Sequence, residues 1–70
     1  MENMIIKIAK QILGDEVNIN TSINNNADWS SIKTIQLIMA LDEEGINIPI
    51  EKMSMIQSIK DIIKIVNGDQ

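Results

Sequence analysis

The chain contains no cysteine and no histidine. Without cysteine there is no disulfide, no thiolate metal site and no cysteine nucleophile, and nothing points to an oxidising compartment. Without histidine the commonest general base and the commonest transition-metal ligand are missing, so a Ser-His-Asp triad cannot be built. Length is also scarce. Seventy residues predict one domain, 1–70, and a chain of that size buries only about 60% of its unfolded surface. Nearly all of its core must serve folding, which leaves little room for an enclosed cleft. Autonomous catalysis is not expected, and no metal site is assigned.

Long apolar runs are lacking too. The opening stretch MENMIIKIAKQIL carries Glu2 early and sets Lys7 and Lys10 among its apolar positions. It has neither the cationic start nor the unbroken apolar run of a signal peptide, and no stretch approaches a membrane span. These features predict a soluble, cytoplasmic chain. The net charge of −4 argues against nucleic acid, which requires a basic surface. It suits partner proteins with basic docking patches, since opposite charge speeds encounter. A monomer is expected.

What the chain does have is helical periodicity. Ile5, Ile8, Ala9 and Ile12 fall at i, i+3, i+4 and i+7, with Ile6 and Leu13 widening the face. Lys7, Lys10 and Gln11 form the opposite stripe, and Gly14 supplies a stop. A second helix is predicted over 31–44, with Ile32, Ile35, Ile38 and Met39 as one face, extended by Leu37 and Leu41, and with Gly45 ending it. A third is predicted to begin at Ser54, because Ser54 and Gln57 have capping-box spacing. Its core stripe would be Ile56, Ile59, Ile62, Ile63 and Val66, and Asn67 with Gly68 would stop it. Pro49 interrupts helix and biases Ile48 to an extended conformation, which leaves 50–53 for one short helical turn.

Residues 14–30 are long for a connection in so small a domain. Asn24, Asn25 and Asn26 favour turns, yet Val17, Ile19, Ile23 and Trp29 recur through the segment. An ordered loop pinned by those four side chains is therefore expected, with Trp29 as an anchor rather than a ligand platform. Met39, Met53 and Met55 read as adaptable core filler. The fold class is all-α: a small bundle of three main helices, a short helix near 50–53 and a long ordered loop.

Ser30 and Ser31 stand where that loop enters the second helix, in the run ADWSSIKTIQLIMALDEE. A serine there is ordinarily an N-cap. The run, with Trp29 before it and acidic residues after it, resembles the serine-bearing second helix of acyl carrier proteins of the small stand-alone type. The likeness extends over most of the chain, through Leu13-Gly14, the long loop, Ile48-Pro49 and Ser54-Met55-Ile56.

The resemblance implies an acyl-carrier-like helical bundle with 4′-phosphopantetheine attached to Ser31, which precedes Ile32 as the modified serine precedes leucine in that family. It implies no catalysis by the chain itself. Acyl or aminoacyl intermediates would ride as thioesters on the arm, in fatty acid, polyketide or aminoacyl systems. The implied partners are a phosphopantetheinyl transferase and acyl- or aminoacyl-transferring enzymes. Ser30, Ile32, Gln36, Met39, Asp42, Glu43 and Glu44 would face them, and Ile35, Met39 and Ile59 would border a cleft for the acyl chain. A phosphodiester on Ser31 would also sit well at a helix N-terminus, where free amides and the macrodipole favour an anion. Asp42, Glu43 and Glu44 lie at the opposite end, where the macrodipole disfavours them, a local cost that fits a role in partner binding.

The chain departs from the family pattern at several positions. Ser30 replaces the usual aspartate, Gln36 the glutamate five positions after the modified serine, and Gly45-Ile46 the aromatic residue after the carboxylates. Lys33 is basic where acidic residues are frequent, and the 49–54 stretch is shortened. A second reading therefore stands beside the carrier: an unmodified helical interaction module on the same fold, in which Ser31 is only a cap.

Overall fold

The computed structural model describes residues 2–68. Helix α1 spans Glu2–Leu13, α2 spans Ser31–Glu43 and α3 spans Ile59–Val66, with a 3₁₀ helix at Ile50–Met55 between the last two. The bundle is all-α. Helix α1 packs against both α2 and α3, while α2 also meets the 3₁₀ helix.

Helix α1 forms as its periodicity dictates. Ile5, Ile8, Ala9 and Leu13 are buried, and Ile6 and Ile12 pack partly against them. Glu2 in the first turn and Lys10 in the last complement the macrodipole. The Gly14 amide still donates to the Lys10 carbonyl at 3.0 Å, and Gly14 then turns the chain away with φ 115°.

Helix α2 buries part of the expected stripe, Leu37, Ile38 and Leu41, and turns the rest of it outward. Its core residues are Thr34, Leu37, Ile38 and Leu41, an i, i+3, i+4, i+7 set in which a hydroxyl takes the first place. Ile32, Ile35 and Met39 face outward instead. The helix carries apolar side chains nearly all round, so counting them could not choose the face. Thr34 takes a place on the buried side, where its hydroxyl accepts a hydrogen bond from the Trp29 indole.

The helix ends cleanly. Glu44 is the C-cap and Gly45 adopts φ 84°. The Ile46 amide donates to the Leu41 carbonyl at 2.9 Å and the Gly45 amide to Asp42 at 3.0 Å, a Schellman pair. Leu41 and Ile46 are both buried beneath that turn.

The 3₁₀ helix runs to Met55 and thus swallows Ser54, which is no cap. The cap of α3 lies four residues later. Ser58 Oγ accepts the Asp61 amide at 3.1 Å, and Asp61 Oδ2 accepts the Gln57 amide at 2.9 Å. Ser58 and Asp61 thereby tie down two orphan amides in the manner of a capping box. Asp61 succeeds where the spacing of Ser54 and Gln57 fails because a carboxylate at the start of a helix also meets the positive end of its dipole. The stripe of Ile56, Ile59, Ile62 and Ile63 is nonetheless buried as expected, with Val66 partly so.

The 14–30 segment is ordered by side-chain turns. Asn18 Oδ1 accepts the Asn20 amide at 2.8 Å, Asn25 Oδ1 accepts the Ser22 amide at 2.9 Å, and Asn26 Oδ1 accepts the Asp28 amide at 2.9 Å. An antiparallel bridge between Ser22 and Ser58 ties it to the entry of α3, through Ile23 N–H to the Gln57 carbonyl at 2.9 Å and Ile59 N–H to the Thr21 carbonyl at 3.0 Å. Val17 and Trp29 are buried and Ile19 is half-buried, but Ile23 is exposed. The bridge holds Ile23 by its backbone, so its side chain is free to point outward.

Met53 alone of the three expected filler methionines packs on the core. Met39 and Met55 are exposed.

Candidate functional site

The two serines at the head of α2 divide their work. Ser30 has extended backbone, φ −103° and ψ 176°, and its Oγ accepts the Lys33 amide at 3.4 Å. Ser30 is the cap. Ser31 is the first helical residue and is exposed, so the cap does not require its hydroxyl.

Ser31 stands on the rim of an open groove of about 500 Å³. The start of α2 contributes Ser30, Ser31 and Thr34, the preceding loop Ile23 and Trp29, and the 3₁₀ helix with its exit Met53, Ser54, Ile56 and Gln57. The lining is mixed: hydroxyls and one side-chain amide are set among apolar walls. The groove exists because the 3₁₀ helix packs on α2 while the bridge at Ser22 holds the loop across the entry of α3.

Two of the lining residues, Trp29 and Thr34, are joined by a hydrogen bond. The indole Nε1–H donates to Thr34 Oγ1 at 2.8 Å, and the two residues are 5% and 6% exposed. The Thr34 hydroxyl in turn reaches the Ser30 carbonyl at 3.4 Å. A buried indole must place its single donor somewhere, and this arrangement satisfies it.

The remaining expected site residues lie along the outside of α2. Ile32 is 67% and Met39 60% exposed, and Gln36 and Glu43 are exposed on the same line at i, i+4, i+7 and i+11. Ile35 flanks them at 40% exposure, and Ile50 and Met55 of the 3₁₀ helix add two more exposed apolar side chains. Asp42, Glu43 and Glu44 close the far end, about 18 Å along the axis from Ser31 at 1.5 Å per residue. All three are exposed, and Asp42 Oδ1 accepts a hydrogen bond from Asn47 Nδ2 at 3.2 Å. Among the described residues no three acidic side chains are arranged to hold a metal ion.

The structure does not assemble the expected cleft of Ile35, Met39 and Ile59. Ile59 is fully buried in the core, the other two face solvent, and none of them lines the groove. The residues that do line it with Ser31 were mostly unforeseen: Ile23, Thr34, Met53, Ser54, Ile56 and Gln57. The one signal that could have led to Thr34 is the lone tryptophan nearby, whose indole N–H requires an acceptor when buried. Ser54 and Gln57 carried none, because they come from elements distant in sequence.

No protein-family model matches the chain. Among the described residues no helix is long and apolar enough to cross a membrane.

Proposed function

We propose that this chain is a non-catalytic acyl carrier, modified on Ser31 by a 4′-phosphopantetheine arm, that presents acyl or aminoacyl groups to partner enzymes. One observation carries the reading: Ser31 is an exposed hydroxyl at a helix N-terminus, spared from capping by Ser30 and set at the mouth of an open groove. The residues fit the group. A phosphodiester there meets the orphan amides of a 13-residue helix, and the mixed lining of the groove suits an arm that alternates amides with apolar stretches. The arm supplies the thiol for thioester carriage, which a chain without cysteine cannot.

The chain's own residues bind and orient. Ser30 caps α2 and leaves the neighbouring hydroxyl free, while Ile32, Gln36, Met39 and Glu43 offer a partner one outward line. Asp42, Glu43 and Glu44 attract basic patches. The serine needs no activating base here, because a phosphopantetheinyl transferase brings base and metal. A cytoplasmic, monomeric protein is part of the same reading.

The test is intact mass after co-expression with a phosphopantetheinyl transferase. Wild type should gain one arm, and Ser31→Ala should gain none while keeping its helical circular dichroism. A gain that survives Ser31→Ala and vanishes in Ser30→Ala overturns the assignment. The second reading, an unmodified interaction module, draws on the exposed stripe of α2 and would be favoured by wild type that gains no mass.

A further inference from the structure

Ser31 lies inside a small closed circuit. Its own cap is loose, since the contact from the Lys33 amide to Ser30 Oγ is 3.4 Å, at the long end for such a bond. A second tie is tighter. The Trp29 indole N–H donates to Thr34 Oγ1 at 2.8 Å in the buried interior, and the Ser30 carbonyl accepts the Thr34 amide at 3.0 Å and its hydroxyl at 3.4 Å. The residue two before Ser31 is thus bound through its side chain to the residue three after it. Trp29 and Thr34 are also among the residues that line the groove with Ser31.

We propose that Trp29 and Thr34 are positioning residues for arm transfer: their hydrogen bond sets where the Ser31 hydroxyl stands relative to the groove. This rests on the carrier reading above. In that transfer Ser31 Oγ forms a bond to the phosphorus of coenzyme A that bears the pantetheine. The diphosphate P–O bond breaks, adenosine 3′,5′-bisphosphate leaves, and the serine proton passes to a base of the transferase. The chain contributes only the placement of the attacking oxygen, and near-attack placement is where a displaced hydroxyl costs rate.

The test is the kinetics of arm transfer from coenzyme A to purified variants, each first checked for wild-type far-ultraviolet circular dichroism. Thr34→Val keeps the shape and removes the hydroxyl. It should lower kcat about fivefold, the scale of one lost neutral hydrogen bond, with KM unchanged. Thr34→Ser, which restores the hydroxyl, should return to within about twofold of wild type. Trp29→Phe removes the donor and should match Thr34→Val, and the double variant should be no slower than either, because both break one bond. Thr34→Val modified at the wild-type rate overturns the proposal. If wild type itself accepts no arm, the carrier reading fails, and amide hydrogen exchange then decides the tie. The Lys33 and Thr34 amides should exchange about fivefold faster in Thr34→Val than in wild type, with the later turns of α2 unchanged. Unaltered exchange at those two amides sinks the positioning role.

Discussion

On the proposed carrier reading, Ser30 stands where the resemblance expects an aspartate. A serine there gives a cap without charge, and the cap it makes is long at 3.4 Å. Ser30→Asp keeps the capping oxygen and adds a negative charge at the positive end of α2, worth roughly 0.3–1 kcal/mol. A thermal melt should therefore rise slightly. The rate of Ser31 modification should rise more clearly if the transferase or its metal uses a carboxylate at that position. A stability gain without a rate gain would show that the transferase does not use it. The two readouts separate because stability requires no transferase.

At the scale of elements, the α3 cap gives a sharp comparison. Ser58→Ala removes the acceptor for the Asp61 amide and should cost about 1 kcal/mol. Ser54→Ala, within the 3₁₀ helix and exposed, should stay within about 0.5 kcal/mol of wild type. Equal costs in denaturant titrations would contradict the observed start of α3. Helix α2 offers the same contrast across its faces. Leu37→Ala opens the core and should cost about 2–5 kcal/mol, a large share of the roughly 4–10 kcal/mol open to a domain of this size. Ile32→Gln and Met39→Gln alter exposed side chains. They should leave the melt nearly unchanged and, on the proposed carrier reading, weaken capture by a partner enzyme.

For the whole molecule, the buried apolar residues of the three α-helices and of the 14–30 loop belong to one cluster. The radius of gyration of 10.6 Å matches the roughly 11 Å expected of a compact chain of this length. Such a core should melt as a unit. Far-ultraviolet circular dichroism reports the helices and Trp29 fluorescence reports the loop, so their unfolding midpoints should coincide. An earlier fluorescence transition would mean that the loop opens independently. The net charge of −4 acts at the same scale. Replacing Asp42, Glu43 and Glu44 by their amides should slow association with a basic partner chiefly at low salt, where screening is weak. An association rate indifferent to ionic strength would exclude steering by these carboxylates.

Local rules determined much of this protein independently of its packing. The α1 periodicity, the stops at Gly14, Gly45 and Gly68, the helix break at Pro49 and the Ile56, Ile59, Ile62 and Ile63 stripe all depend on neighbours within a turn or two, so they were legible in order. So was the placement of Ser30 and Ser31 at a helix start. Three features depended on residues far apart and were decided only by the tertiary structure. Leu37, Ile38 and Leu41 of α2 are buried as their spacing indicates, but the burial of Thr34, bonded to a loop tryptophan, in place of Ile32, Ile35 and Met39 is a tertiary outcome. The start of α3 was chosen by the Ser22–Ser58 bridge and the Asp61 carboxylate together, one a long-range pairing and the other a local cap competing with an equally plausible neighbour. The groove beside Ser31 takes its walls from the loop, α2 and the 3₁₀ helix, and its outline is a property of their packing. Periodicity records which side chains are apolar, but it cannot say which of them find a partner, and in a chain with this much isoleucine the partner decides.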